Sequence, residues 1–150
     1  MEQTKIVKME KEHIDKLADL EKICFNDPWS EDSLSFELTN KNAYFIVAMQ
    51  NNNVLGYAGM HCVLDEGYIA NVAVFPSFRK KGIGKELLRN ILNYAEKNNF
   101  AFVTLEVRRS NFNAIKLYKN FGFEQMGIRK NFYKNPNEDA IIMTKRFIST

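Results

Sequence analysis

The segment with the clearest chemical character is a basic, glycine-containing stretch that follows an apolar run. It reads Val72-Ala73-Val74-Phe75-Pro76-Ser77-Phe78-Arg79-Lys80-Lys81-Gly82-Ile83-Gly84-Lys85. This pattern predicts a buried strand, a tight turn and the first turn of an amphipathic helix. Glycines let the backbone approach a ligand, and the N–H groups at the start of a helix attract anions. The stretch is therefore either an ordinary strand-to-helix turn or a loop that binds phosphate or pyrophosphate.

Two common nucleotide-binding patterns do not fit this loop. The Walker A pattern fails because Glu86 follows Gly84-Lys85 and Arg79 stands where its first glycine is required. The dinucleotide pattern GxGxxG fails because Leu87 occupies the position of its third glycine. An anion-binding loop outside these two classes remains.

Three polar residues further along the chain are candidates for chemistry or for structure. Glu106 lies near the end of an apolar strand, where it is either a general base or a surface residue paired with Arg108 on the same face. Residue spacing alone favours the ion pair. Tyr118 lies on a helix predicted to pack against the core, and a buried tyrosine is commonly structural. Asn111 is suited to cap the start of that helix.

These residues depend on elements predicted in the order β-α-α-β-β-β-α-β-α-β-β. Strands are expected at 6–9, 43–49, 54–62, 67–75, 101–107, 123–133 and 140–147. Helices are expected at 13–25, 82–98 and 111–121. A further short helix would be capped by Ser30 and carry Leu34 and Leu38. The strand at 67–75 is nearly all apolar, which predicts burial on both faces. Residues 67–107 form a predicted βαβ crossover. The fold class is therefore mixed α/β.

The composition predicts a single domain spanning residues 1–150. Hydrophobic residues make up 45% and charged residues 26%, close to the average of folded soluble proteins. The net charge of +3 is too small to indicate a nucleic-acid-binding protein. No apolar run reaches the roughly 18 residues of a membrane span, and no apolar segment follows Met1. We expect a cytoplasmic protein that contacts neither nucleic acid nor membrane directly.

Neither cysteine chemistry nor a metal site is expected. Cys24 and Cys62 do not form a CxxC pair, which argues against a disulfide framework or a zinc site. His61 precedes Cys62, but adjacent residues on a strand point to opposite faces and so cannot share a proton. We therefore expect both cysteines to be buried small apolar residues, and His13 and His61 to be structural or surface residues.

The loop at residues 79–84 resembles the [Q/R]-x-x-G-x-[G/A] pyrophosphate loop of the GNAT superfamily of acetyl-CoA-dependent N-acetyltransferases. The predicted element order is similar to that fold over the whole chain. The resemblance implies a mixed, mostly antiparallel central sheet with helices on both faces, and acetyl-CoA as co-substrate. It also implies two sets of cofactor-binding residues. Val72, Ala73 and Val74 would pair with the pantetheine arm, and Arg79, Lys80, Lys81, Gly82, Ile83, Gly84 and Lys85 would hold the pyrophosphate.

Further blocks resemble one branch of that superfamily, the ribosomal-protein-alanine N-acetyltransferases. Residues 104–123 are similar to its L-E-V-R-x-S-N…A-x-x-L-Y-x-x-x-G-F block, 25–31 to F-x-x-P-W-S and 138–143 to E-D-A-x-x-M. One departure is Phe132, where the branch usually has tyrosine, so that only Tyr133 can supply a hydroxyl there.

The resemblance assigns a role to each candidate residue. Glu106 would accept a proton and Tyr118 would donate one to the departing sulfur of coenzyme A. Asn111 would contact the cofactor, and Trp29 and Tyr133 would contact the acceptor. The implied reaction transfers an acetyl group to the N-terminal amine of a protein, a ribosomal protein beginning with alanine, by direct attack in a ternary complex. The alternatives are acetylation of another amine (a lysine side chain, a polyamine or a small metabolite) and a non-catalytic module that senses acyl-CoA.

Overall fold

The protein is described by a computed structural model over residues 3–147, which form one seven-stranded sheet with four α-helices. The strands are β1 (Lys5–Lys8), β2 (Ala43–Gln50), β3 (Asn53–Val63), β4 (Glu66–Val74), β5 (Phe102–Arg108), β6 (Glu124–Tyr133) and β7 (Glu138–Arg146). The helices are α1 (Ile14–Cys24), α2 (Glu31–Phe36), α3 (Ile83–Lys97) and α4 (Phe112–Asn120). Short 3₁₀ turns lie at Lys11–His13, Glu37–Thr39 and Pro76–Phe78. The predicted element order is confirmed.

The strand order is β1-β2-β3-β4-β5-β7-β6. Neighbouring strands are antiparallel except for β4 and β5, which are parallel and are joined through α3. A parallel pair needs such a crossover because the chain must return to the same end of the sheet. The predicted βαβ unit and the mostly antiparallel sheet are both confirmed.

Alternation along the central strands divides the core between the two faces of the sheet. Phe45 and Val47 of β2 pack on the face covered by α1 and α2, whereas Ile46 and Ala48 pack on the face covered by α3. His61 and Cys62 of β3 likewise face opposite sides, as predicted: His61 lies against Phe45, and Cys62 packs with the α3 core. Among residues 3–147 no helix has the length and apolarity of a membrane span.

The prediction that the fourth strand is buried on both faces was wrong. Of the residues in β4, Gly67 and Ala73 are buried, whereas Ile69 to Val72 are only half-buried. The reason is that β4 pairs with β5 only from Glu66 to Tyr68, so that most of β4 lacks a neighbouring strand to cover it on that side. A bulge at residue 70 further interrupts its pairing with β3, because Ile69 lies opposite Met60 and the next partner of Gly59 is Asn71.

Gly59 provides a test of this packing. It lies opposite Phe45 in the β2–β3 ladder, and a Cβ atom there would overlap the Phe45 ring. We expect Gly59→Ala to lower the free energy of unfolding by about 1–3 kcal/mol, the usual cost of overpacking a core. Gly127→Ala is the matched control, since its Cβ would meet Ile142 Cδ1 at 3.7 Å, an ordinary contact. Urea unfolding of both variants measures the difference, and equal stabilities would contradict the prediction.

Candidate active site

The candidate active site lies along the gap that opens between β4 and β5. Hydrogen-bonded pairing of the two strands stops at Tyr68 and Thr104, while β3 continues to hold β4 as far as Val74. The edge of β4 beyond Tyr68 therefore faces the gap without a strand partner. A free strand edge can pair with an extended ligand as it would with another strand. Val72, Ala73 and Val74, the predicted pantetheine contacts, lie on this edge.

The predicted pyrophosphate loop leads directly into the first turn of α3. Gly82 is the N-cap residue of the helix and has a φ of +83°, and Lys80 has a φ of +64°. The first N–H groups of a helix have no partner within it, and Gly82 has no side chain with which to cap them. A Cβ atom at Gly82 would meet nothing within 4 Å. The loop thus presents N–H donors to open space, beside the exposed side chains of Lys80, Lys81 and Lys85.

Arg79, predicted to bind the cofactor, makes its hydrogen bonds within the protein. Its Nε donates to the carbonyl oxygen of Val74 at 3.0 Å, and its Nη2 lies 3.2 Å from Cys24 Sγ. The guanidinium therefore connects the start of the loop to the end of β4 and to α1. Burial raises the pKa of the Cys24 thiol, with Arg79 opposing that effect, so Cys24 stays protonated at neutral pH.

Glu106 is paired with a residue that the sequence did not indicate. Its Oε2 lies 3.1 Å from Nε of Arg129, which reaches across β7 from β6, and the Glu106 side chain keeps 34% of its surface exposed. The predicted ion pair with Arg108 was wrong, because Arg108 bonds to Glu138 instead. No sequence spacing could have predicted the Arg129 contact, since it depends on the order of the last three strands. The Glu106 carboxylate remains accessible from solvent.

Tyr118 is buried, and its hydroxyl has no hydrogen-bond partner among residues 3–147. The residue is 8% exposed and its ring lies 5.6 Å from that of Phe123. Burial, with a smaller contribution from Tyr133, raises the pKa of Tyr118 to about 12. The hydroxyl therefore keeps its proton throughout the neutral range and can donate it.

The start of α3 contacts helix α4, which carries Tyr118. A Cβ atom at Gly84 would lie 3.9 Å from Leu117 Cδ2, and Leu117 directly precedes Tyr118. The structure thus brings the helix of Tyr118 to the helix that follows the predicted pyrophosphate loop. Asn111 begins α4 as its N-cap, accepting the Ala114 N–H at 3.2 Å. The predicted cap is confirmed, and the predicted cofactor contact of Asn111 stays a prediction.

Tyr133 interacts electrostatically with both candidate catalytic residues. Burial first, and then the Glu106 carboxylate, raise the pKa of Tyr133 to about 12, while the Arg108 guanidinium acts in the opposite direction. Arg108 lies 4.5 Å from the centre of the Tyr133 ring. Since Tyr133 in turn raises the pKa of Tyr118, the three predicted residues Glu106, Tyr118 and Tyr133 share one electrostatic environment.

Arg108 holds the hairpin between β6 and β7. Its guanidinium donates to the carbonyl oxygens of Lys134 and Pro136 at 3.0 and 3.1 Å, and to Glu138 Oε1 at 3.2 Å. The other oxygen of Glu138 accepts the Ser110 N–H at 2.6 Å. The Ser110 hydrogen bond, with Arg108 adding to it, lowers the pKa of Glu138. These contacts join the β5–α4 turn to the hairpin. In the sequence, Arg108 and Glu138 are members of two separate motifs, and nothing indicates that they are in contact.

Trp29 lies in the segment of residues 25–30 between α1 and α2, which we call the Trp29 loop. Its ring stacks on His61 with centroids 6.1 Å apart and lies 5.9 Å from the ring of Phe45. Asn26 Nδ2 donates to the carbonyl oxygen of Asn135, so the Trp29 loop touches the β6–β7 hairpin. An open hollow of about 610 Å³ beside Trp29 is lined in part by Asp27, Asp32 and Glu37, and the buried Glu37 carboxylate lies 2.6 Å from His61 Nε2. The Trp29 loop and the β6–β7 hairpin thus contact each other, and acidic residues that would attract a cation lie beside Trp29.

Comparison with known proteins matches this architecture to one family. The model of the acetyltransferase (GNAT) family matches residues 14–123. This chain belongs to the GNAT family. The GNAT acetyltransferase is 38% identical over 118 residues to the [ribosomal protein bS18]-alanine N-acetyltransferase of Escherichia coli K12, covering 77% of this chain and 79% of the relative. It is 35% identical over 133 residues to the enzyme of that name from Haemophilus ducreyi, covering 85% and 90%.

Solved structures agree with the family assignment. The crystal structure of the ribosomal-protein-S18-alanine N-acetyltransferase from Escherichia coli has a TM-score of 0.91 and 31% sequence identity, covering 99% of this chain and 96% of that chain. The PaiA N-acetyltransferase from Thermoplasma acidophilum, solved in complex with coenzyme A, shares the fold with a TM-score of 0.80, 17% identity and coverage of 97% and 99%. The predicted GNAT fold is confirmed.

Two glycine variants test the predicted pyrophosphate loop of the GNAT acetyltransferase. Gly82→Ala forces a non-glycine residue into a left-handed conformation, which costs about 1–2 kcal/mol. We expect lower stability and weaker binding of coenzyme A, because the N–H donors move when the strain is relieved. Gly84 has no positive φ, and a Cβ atom there would meet only Leu117. We therefore expect Gly84→Ala to stabilise the free protein, by up to about 1 kcal/mol, because alanine has the higher helix propensity. Thermal unfolding and calorimetric titration with coenzyme A compare the variants, and unchanged binding by Gly82→Ala would contradict the assignment.

A pair of adjacent arginines tests the hairpin clamp. A lysine at position 108 has its three N–H donors on a single nitrogen and cannot reach the separate acceptors that Arg108 reaches from Nη1 and Nη2. We expect Arg108→Lys to lower kcat/KM for acetyl transfer about tenfold, since misplacing a reacting group by about 1 Å can cost up to 100-fold. Arg109→Lys is the control, because Arg109 is 64% exposed and has one ion pair, to Asp139 at 3.7 Å. Faster hydrogen exchange at residues 134–137 should accompany the loss only in Arg108→Lys, and an equal effect of both variants would exclude the clamp.

Proposed function

We propose that this GNAT acetyltransferase transfers the acetyl group of acetyl-CoA to the N-terminal α-amino group of a ribosomal protein that begins with alanine. The observation that carries the proposal is the extent of its similarity to the Escherichia coli ribosomal-protein-S18-alanine N-acetyltransferase, which covers 99% of this chain. That coverage includes the Trp29 loop and the β6–β7 hairpin as well as the cofactor loop. Acceptor choice depends on such loops and not on the shared fold.

The residues along the β4 edge and at the start of α3 fit acetyl-CoA. When bound, acetyl-CoA supplies a thioester whose carbonyl carbon is open to attack by an amine. The uncapped N–H groups of the first turn of α3, together with Lys80, Lys81 and Lys85, would hold its phosphates. The free edge of Val72 to Val74 would pair with the pantetheine arm, and its N–H groups would stabilise the negative charge that develops on the carbonyl oxygen.

Glu106 and Tyr118 would divide the proton transfers between them. An N-terminal amine has a pKa of about 7.7–8.0 and is largely protonated at neutral pH. Glu106, which is accessible and held by Arg129, would take the proton from the amine, directly or through a water molecule. The nitrogen lone pair then forms the new C–N bond as the C–S bond breaks, and the nitrogen releases its second proton to solvent. Tyr118, which is fully protonated at neutral pH, would give its proton to the departing sulfur and regain one from solvent.

The Trp29 loop and Tyr133 would border the acceptor. The two loops touch through Asn26 and Asn135, and the exposed side chains of Asp27 and Asp32 lie beside Trp29. A negative surface at the entrance attracts a protonated N-terminal segment.

We further propose that residues 1–150 act as one domain and that the protein works in the cytoplasm, where ribosomal proteins are made.

Mass spectrometry of two peptides tests the function. One peptide has a free N-terminal alanine and no lysine, and the other has a blocked N-terminus and an internal lysine. Incubated with the protein and acetyl-CoA, the first should gain one acetyl group and the second none. Acetylation of the second peptide alone would exclude the N-terminal acceptor while keeping the acetyltransferase.

The two candidate catalytic residues are tested in the same assay. Glu106→Gln and Tyr118→Phe should each lower kcat by about 100-fold or more, the usual contribution of a general base or acid. Coenzyme A binding should remain in both variants. Because Tyr118 has a pKa of about 12, no loss of kcat from its ionisation is expected up to pH 10. Full activity of Tyr118→Phe would exclude its role as proton donor.

A further inference from the structure

We propose that Glu21, which lies outside the reacting groups, positions the Trp29 loop against strand β4 and thereby sets the affinity for the acceptor. Glu21 is a positioning residue, since it acts through Trp29 and does not touch either substrate. The inference rests on the proposed function, in which the Trp29 loop borders the acceptor.

Glu21 is a fully buried carboxylate with three hydrogen-bond donors around it. It is 0% exposed, and its two oxygens accept the Trp29 N–H at 2.8 Å, the Tyr57 hydroxyl at 2.7 Å and Asn71 Nδ2 at 3.1 Å. A buried carboxylate is costly unless its oxygens are hydrogen-bonded, and an apolar side chain of similar size is often more stable at such a place. A geometric role therefore explains this residue better than a gain in stability.

One residue closes both ends of the Trp29 loop. The backbone carbonyl of Glu21 accepts the Phe25 N–H at 2.9 Å, where α1 ends. The carboxylate of the same residue accepts the Trp29 N–H, just before Ser30 caps α2. The position of the Trp29 backbone thus depends on the Glu21 side chain.

The same carboxylate reaches the strand that borders the gap. Asn71 follows the bulge at residue 70 and directly precedes Val72, and its side-chain amide also lies 3.0 Å from the Tyr57 hydroxyl. Tyr57 and Asn71 are held independently by the β3–β4 ladder, whereas the Trp29 loop belongs to no ladder. Loss of the carboxylate should therefore displace the loop and leave the strand in place.

The test compares Glu21→Gln with Tyr57→Phe. Glutamine has nearly the same shape but only one acceptor oxygen, so it cannot accept the Trp29 N–H and also the Tyr57 and Asn71 donors that face the second carboxylate oxygen. Tyr57→Phe removes one donor from the same buried cluster while leaving the bond between Glu21 and Trp29. It therefore controls for a general loss of stability. The measurements are KM for the alanine peptide, the affinity for coenzyme A and the fluorescence of Trp29, which is the only tryptophan in the sequence.

We expect Glu21→Gln to raise KM for the peptide about tenfold, consistent with misplacement of the acceptor wall. Its coenzyme A affinity should be unchanged, and its fluorescence maximum should shift to longer wavelength as Trp29 becomes more exposed. Tyr57→Phe should lose stability without raising KM. If Glu21→Gln folds too poorly for assay, Glu21→Asp, whose shorter side chain cannot reach all three donors, should show the same changes to a smaller degree.

Two results would overturn the proposal: an unchanged KM in Glu21→Gln, or an equal rise of KM in Tyr57→Phe. A wild-type protein that does not acetylate the peptide would refute the proposed function instead. In that event the fluorescence comparison still decides whether Glu21 holds the Trp29 loop, because it needs no acceptor.

Discussion

The early separation of β4 from β5 is the constraint on which the rest of the site depends. The two strands pair over three residues and then diverge, which leaves the backbone of β4 exposed along one edge. Backbone N–H and C=O groups require partners, so such a gap must hold water or an extended ligand. The βα crossover places the uncapped start of α3 just beyond the end of β4, and α4, which carries Tyr118, contacts it through Leu117. The free strand edge, the predicted cofactor loop and the helix of the candidate proton donor thus lie around one break in the ladder.

The charged groups around the site contribute geometry more than stability. Exposed ion pairs such as Arg129 with Glu106 are worth about 0–1 kcal/mol, too little to account for the fold. Arg108 differs because its guanidinium joins two backbone carbonyls and a carboxylate, which orients the β6–β7 hairpin. Glu21 acts similarly on the Trp29 loop from within the core. Two charged residues that take no part in the proposed chemistry thus orient the two loops that, in the proposed function, border the acceptor.

Local patterns predicted most of the fold. The apolar stripe of α3, the cap of α2 by Ser30 and the cap of α4 by Asn111 depend on residues a few positions apart, and all are confirmed. The predicted burial of β4 was wrong, because the apolar character of a strand does not reveal that its neighbour leaves it. The predicted partner of Glu106 was wrong for a related reason. Glu106 and Arg108 share one face of β5, but the strand order that brings Arg129 to Glu106 cannot be read from the sequence.

The sequence by itself determined the element order, the basic, glycine-containing turn at Gly82 and the family resemblance, since each depends on short-range spacing. Only the tertiary structure decided which side chains meet. Arg129 reaches Glu106 across an intervening strand, Arg108 turns to the hairpin, and Glu21 lies beneath Trp29. These contacts depend on strand order and register, in which residues far apart in the chain become neighbours. The spacing of residue types along the chain does not contain that information, because these contacts form only after the strands have paired.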